Sequence, residues 1–136
     1  LELAYNIWRL ICGTNQTVYD LGAGPGFYSQ FLKMRNMDVT SFDANNHLYL
    51  SLCQIHHFDL SKPVDLIGKA DIALCLEVGE HIDAEFESIV INNICKLARN
   101  KIILSWAIPG QGGFGHVNCQ PNDYIIEAIT AREWAY

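Results

Sequence analysis

Val18-Tyr19-Asp20-Leu21-Gly22-Ala23-Gly24-Pro25-Gly26 decides how the rest of this 136-residue chain reads. Val18 and Leu21 are apolar and strand-compatible, and Asp20 falls at the carboxyl end of that strand. Gly22, Gly24 and Gly26 then leave a run of backbone with few side chains. Glycine permits positive φ and lets a ligand lie against the main chain. A helix predicted over about 26–35 points its free N–H groups back at the same spot. Strand, glycine turn and helix in this order build a small-molecule site.

Outward from that stretch, strands and helices alternate. Residues 1–12 place Leu3, Ile7, Leu10 and Ile11 at helical spacing, widened by Ala4 and Trp8. Gly13-Thr14-Asn15 breaks this helix. The helix over 26–35 is expected to bury Phe27, Phe31 and Met34. Asp38–Phe42 is a second strand closed by Asp43, and Asn45-Asn46 caps a short helix over 47–53. A third strand, 55–58, ends at Asp59, and Ser61-Lys62-Pro63 turns the chain. Ala70–Leu76 is almost wholly apolar, as a strand covered on both faces must be. Phe86, Ile89, Val90, Asn93, Ile94 and Leu97 mark a helix over 83–97. A fifth strand, 101–106, a glycine-rich loop, 109–121, and a helix over 123–134 complete the series.

Such alternation implies parallel pairing through right-handed crossovers. Helices must cover both faces, so the winding reverses after the third strand. The fold class expected is α/β: a three-layer, Rossmann-like α-β-α sandwich with strand order 3-2-1-4-5 and a crevice between strands one and four. Ligands of such sheets bind above the carboxyl ends of the strands. Asp20, Asp43, Asp59 and Glu77 each follow an apolar strand and so map to that edge.

Bulk properties narrow the function. One domain over residues 1–136 is expected from the length. Half the residues are hydrophobic, which suits a folded core. A net charge of −6 with nine scattered Lys and Arg argues against a nucleic-acid surface. No apolar run is long enough to span a bilayer, and no signal-peptide pattern is present. Cys12, Cys53, Cys75, Cys95 and Cys119 are odd in number, with no C-x-x-C pair, a usage that fits a reducing, cytoplasmic setting.

The turn alone does not name its ligand. A dinucleotide fingerprint reads G-x-G-x-x-G, whereas here the spacing is G-x-G-x-G and Phe27 takes the third-glycine place. A phosphate-cradling G-x-x-x-x-G-K-[ST] is absent from the sequence. A ligand without phosphates, carrying a ribose and an amino-acid end, fits better. Asp43 suits both ribose hydroxyls. Asp59 suits an exocyclic amine, with Phe58 or Leu60 against the ring.

Four stretches together resemble the class I S-adenosylmethionine-dependent methyltransferases. Asp20 to Gly26 is similar to the family's first motif, D/E-x-G-x-G-x-G. Asp43 matches the ribose-binding acid of the second, and Phe58-Asp59 resembles the adenine-contacting third. Asp71-Ile72-Ala73-Leu74-Cys75-Leu76-Glu77-Val78-Gly79-Glu80-His81-Ile82 resembles the fourth, an L-E-V-x-E-H-I type string. The resemblance covers about residues 14–106. It implies S-adenosyl-L-methionine as cofactor, held by Asp20, Gly22, Ala23, Gly24, Asp43, Ala44, Phe58, Asp59, Leu60, Leu76 and Glu77. It also implies in-line attack on the sulfonium methyl by a small-molecule acceptor or, as a second class, a protein side chain. The family's terminal antiparallel strand pair is not expected here: either the chain is a minimal member or the remainder lies outside this sequence.

Plainer readings stand beside these. Gly22 and Gly24 could make an ordinary turn, Asp43 could cap the next segment, and F-D-L-S-K-P is turn chemistry in its own right. Glu80, His81 and His116 are the candidate catalytic residues. His81 is beside a cofactor motif, and an imidazole accepts protons in the physiological range; otherwise it caps a helix. Ser105–Asn118, rich in glycine and carrying His116, reads as a lid or acceptor loop, or as a mere connector. His116 and Cys119 form an H-x-x-C pair, but two ligands make no zinc site, so no metal is expected. His56-His57 reads as structural. The competing function is a non-catalytic methyltransferase-like module serving as a subunit of a larger assembly.

Overall fold

The computed structural model describes residues 2–12, 15–45, 50–65 and 68–134. Helix α1 (Glu2–Ile11) precedes β1 (Thr17–Leu21), α2 (Phe27–Lys33), β2 (Asp38–Asp43) and β3 (Ile55–His57). Then come β4 (Ala70–Leu76), two single 3₁₀ turns (Gly79–His81 and Ala84–Phe86), α3 (Glu87–Leu97), β5 (Ala98–Ser105) and α4 (Asn122–Thr130). The five strands form one sheet in the order β3-β2-β1-β4-β5, and all four pairings are parallel. This is the expected order, and among the described residues no antiparallel strand follows β5.

Burial on both faces explains the apolar β4. Ile72 and Leu74 pack with Val18, Val39 and Leu32 beneath α1 and α2. Ala73 and Cys75, pointing the other way, pack with Leu21, Val90, Ile91 and Ile94 beneath α3 and with Ile125 of α4. Two cores therefore sandwich the sheet between helix pairs, giving the three layers.

Several local expectations change. Helix α1 buries Ala4, Ile7 and Ile11, leaving Leu3 and Leu10 exposed, because a narrower stripe suffices for one edge of the sheet. Helix α2 does not bury Phe27 or Met34, which are 66% and 73% exposed. Its inward face carries Ser29 and Leu32 instead. The buried Asp20 selects that face: Ser29 Oγ donates to its Oδ2 at 2.6 Å, and Ser41 Oγ donates to Ser29 Oγ at 2.6 Å. Helix α3 starts at Glu87 after a 3₁₀ turn rather than at Asp83, and β5 begins at Ala98, directly off the helix. The helix expected over 47–53 lies outside the described residues at 47–49, and residues 51–53 are not helical. The cap residue Asn46 and the breaker at 13–14 also lie outside them.

Asn93, polar within an apolar stripe, is 1% exposed. Its side chain donates to the carbonyls of Leu60 and Lys62 and accepts from Val64 N–H. It thus satisfies the irregular backbone after β3, which a buried aliphatic side chain cannot do. All five cysteines are free. Among the described residues, no helix is long and apolar enough to cross a membrane.

Candidate functional site: a cleft above β1 and β4

The glycine turn is held from below. Gly22 and Ala23 both donate N–H bonds to the Phe42 carbonyl at 2.9 Å, so the end of β2 fixes the exit from β1. Gly22 has φ +77, and a Cβ there would stand 2.4 Å from Val78 Cγ2. Glycine is needed because the loop after β4 closes directly onto it. Gly24, at φ +52, has open space around the position of a Cβ. Its N–H donates to Asp43 Oδ2 at 2.8 Å, while Asp43 Oδ1 accepts from Asn45 N–H. The carboxylate at the end of β2 therefore ties the turn and caps its own loop, and both oxygens keep further lone pairs.

A cleft of about 450 Å³ opens here, lined by Gly22, Gly24, Asp43, Ala44, Asn45, Phe58, Asp59, Leu60, Glu77, Val78, His81 and Ile82. Nine of the residues expected from sequence thus share one wall. Asn45, Val78 and Ile82 are additional; the last two lie inside the L-E-V-x-E-H-I string, so that string already contained them. Ala23, Leu76 and Asp20 do not line the cleft. Leu76 packs into the α1/α2 core. Asp20 is 3% exposed, as the penultimate residue of β1 rather than its end. Burial pushes its carboxyl up to about 6, partly offset by the Ser29 hydroxyl and N–H.

The other strand-end acids are differently placed. Asp59 spends Oδ1 on Ser61 N–H (3.0 Å) and Oγ (2.6 Å), with Oδ2 at 3.2 Å from Lys62 Nζ. The Ser61 hydroxyl is the main reason its carboxyl lies below the usual range. The turn reading of Asp59 holds locally even though the residue lines the cleft. Glu77 adopts φ +54, unusual for a side-chain-bearing residue. Its N–H donates to Ser105 Oγ at 3.0 Å and its carboxylate accepts from Gln111.

The three candidate catalytic residues converge. Ligand-capable atoms of Glu80, His81 and His116 all lie within 4.8 Å of one another. The histidine rings meet edge to face at 5.0 Å. Val117 and Asn118 cause this convergence by donating their N–H groups to the Glu80 carbonyl at 2.8 and 3.1 Å. Trp106 Nε1 donates to the Asn118 carbonyl, and its ring lies against Gly79, where a Cβ would come within 2.2 Å. Glu80 itself is fully buried, and neither carboxylate oxygen makes a well-formed hydrogen bond among the described residues. Burial, then the nearby Glu77, raises its carboxyl above the usual range, opposed in part by the N–H groups of Glu80 and Ala107.

The glycine-rich loop is anchored rather than free at its far end. Asn118, Gln120 and Tyr124 all donate to the Glu87 carboxylate, at 3.0, 2.8 and 2.5 Å, and Gln120 N–H donates to the Ala107 carbonyl. Glu87 had no sequence signal beyond its place at the start of a helix. A second cavity, about 500 Å³ between β5 and α4, is remote from the glycine turn and mixed in character, with Ile102, Leu104, Ile125 and Ile129 beside Asn100, Lys101, Asn122 and Thr130.

Sheet order, glycine turn and cleft position define the fold of the class I S-adenosylmethionine-dependent methyltransferases. Among solved structures, the magnesium protoporphyrin IX methyltransferase ChlM of Synechocystis PCC 6803, with bound SAM, superposes with a TM-score of 0.78. The identity is 22%, over 98% of this chain and 68% of that one. TehB from Haemophilus influenzae gives 0.76 at 18% identity, over 96% of this chain and 50% of that one. The Burkholderia thailandensis 1,6-didemethyltoxoflavin-N1-methyltransferase, with bound 1,6-didemethyltoxoflavin and S-adenosylhomocysteine, gives 0.72 at 18% identity, over 95% of this chain and 64% of that one. No sequence-family model and no curated protein matches the chain.

Proposed function

We propose that the chain is an S-adenosyl-L-methionine-dependent methyltransferase that transfers a methyl group to a small-molecule acceptor by in-line displacement. The observation carrying this is the cleft itself: open backbone at Gly24, with Asp43 at one end and Glu77 and His81 at the other. Its volume suits a ligand of nucleoside size. Solved structures of this fold hold SAM or S-adenosylhomocysteine, which supports the choice of ligand.

When bound, that cofactor supplies a methyl already activated on a sulfonium. The chain's own residues then have mainly to bind and orient. Asp43 would accept from the ribose hydroxyls, Phe58 or Leu60 would lie against the adenine, and Asp59 would offer any lone pair its turn leaves free. Gly22 and Gly24 let the amino-acid end lie on the backbone. Clustered acids favour the cationic donor over its neutral product. His81, on the cleft wall, takes the acceptor's proton if the acceptor arrives protonated. The free cysteines support a reducing, cytoplasmic setting, and the net charge of −6 argues against nucleic acid as a partner.

Calorimetric titration with S-adenosylmethionine, S-adenosylhomocysteine and NAD tests this directly. The first two are expected to bind and the third not. NAD binding without either methyl-cycle ligand overturns the reading. A product-coupled methyl-transfer screen separates an enzyme from a cofactor-holding subunit.

A further inference from the structure

We propose that Glu80, His81 and His116 form a binding site for a first-row transition-metal dication at the β4 end of the cleft. The ion's site is independent of the methyl-transfer reading. Only the use of an acceptor oxygen as a further ligand rests on it.

The first support is geometric. The three donor sets lie within 4.8 Å of one another, although His116 is remote in sequence. Zinc holds imidazole nitrogen and carboxylate oxygen at about 2.0–2.2 Å, so small side-chain rotations bring all three onto one ion. The backbone is fixed for this by the two N–H bonds from Val117 and Asn118 to the Glu80 carbonyl.

The second is the orphaned carboxylate. Glu80 is 0% exposed, and neither of its oxygens makes a well-formed hydrogen bond, the N–H groups of Glu80 and Ala107 acting on it only in part. A buried acceptor left unmade costs about 1–3 kcal/mol, more when charged. Nearly every buried carboxylate avoids this by pairing or by coordinating a metal. The other two buried among the described residues, Asp20 and Glu87, are hydrogen-bonded. Among the described residues no lysine or arginine makes an ion pair with Glu80.

The third is the surroundings of the histidines. His116 Nδ1 lies 3.2 Å from the Gln111 carbonyl, an acceptor, so that nitrogen carries the proton and Nε2 keeps the lone pair. A ring N–H given to a backbone carbonyl is the usual outer support of a metal-bound histidine. Gly113 lets the tip of the His116 ring pack over the backbone, where a Cβ would stand 2.2 Å from Nε2 and displace the ring. At Gly115, φ +75, an added Cβ would stand 3.4 Å from His81 Nδ1, an ordinary van der Waals distance. Cys119 Sγ lies 3.8 Å from His116 Nδ1, the nitrogen already engaged, and is not counted as a ligand.

Two imidazoles and one carboxylate suit zinc, manganese or iron rather than magnesium or calcium, which prefer all-oxygen shells. Three protein ligands leave positions open. Because His81 also lines the cleft, water or an oxygen of the acceptor can fill one. Metal binding occupies the lone pair that His81 would need as a proton acceptor, so the two roles exclude each other.

The test uses the whole chain, stripped with EDTA and dialysed, then titrated calorimetrically with ZnCl₂, MnCl₂ and MgCl₂. One equivalent of Zn²⁺ or Mn²⁺ is expected to bind at least tenfold tighter than Mg²⁺. His81→Ala and His116→Ala, both at accessible positions, should each weaken that binding at least tenfold, whereas Cys119→Ser leaves it unchanged. Absence of saturable Zn²⁺ and Mn²⁺ binding overturns the proposal. So does binding that survives both histidine variants, or that is lost in Cys119→Ser. S-adenosylhomocysteine titrated into the same stripped protein reads the cofactor site separately, so either proposal can fail while the other stands.

Discussion

Asp20 and Glu80 are both buried carboxylates on the β1 and β4 sides of one crevice, yet they are treated in opposite ways. Asp20 heads a hydroxyl relay from Ser41 through Ser29, and that relay clamps α2 beneath the glycine turn. Glu80 is buried more completely and lacks a comparable partner. A carboxylate that holds a fold together is recognisable by its donors. One left without donors costs stability and persists only where something else uses it. The first acid is thus engaged within the scaffold, although it opens the glycine motif, and the second is left available to a ligand.

The largest expected effect concerns Asp20. Its folded value of about 6 lies above the ordinary 3.8, so the folded chain binds more protons between those limits. Its contribution to stability is full below pH 4, falls as pH rises to about 6, and is level beyond. Relative to Asp20→Asn, the parent chain should lose on the order of 3 kcal/mol between pH 4 and 7, read by urea denaturation. A pH-independent difference would show that Asp20 is not desolvated as described. Next in size, Asp43→Ala should weaken S-adenosylhomocysteine binding by at least about 1.4 kcal/mol, or tenfold, through lost charge-assisted hydrogen bonds. Unchanged calorimetric affinity in a folded variant removes Asp43 from the ligand's reach. Smallest, Glu80→Gln in EDTA should stabilise the chain by about 1 kcal/mol at pH 8, a gain that vanishes in acid, where both side chains are neutral. Destabilisation at pH 8 would mean that the carboxylate has a partner after all.

The sheet was legible because strands buried on both faces must be apolar throughout, and Ala70–Leu76 admits no other reading. The reversal of winding followed from the need to cover both faces. Strand-end positions of Asp43, Asp59 and Glu77 came with it. The buried face of α2 was not legible, because hydrophobicity nominates Phe27 and Met34 while a pair of serines bonded to Asp20 decides the matter. Nor was the meeting of His116 with Glu80 and His81, which depends on backbone bonds between segments far apart in sequence. His116 was singled out beside Cys119, but its nearer chemistry lies across the fold.

The anchoring of the glycine-rich loop has a consequence for rates. Ala107 and Gln120 are joined by a backbone bond, and Asn118 is fastened to Glu87, so only the span near 108–116 is left to rearrange, with Phe114 wholly exposed at its tip. Ordering a residue costs about 1–2 kcal/mol in entropy, and a short span between fixed posts has little of that to lose. Rearrangement of this loop should then be confined to its exposed tip. Any ligand that grips His116 would act as a latch, slowing departure from the cleft without reshaping the sheet beneath it.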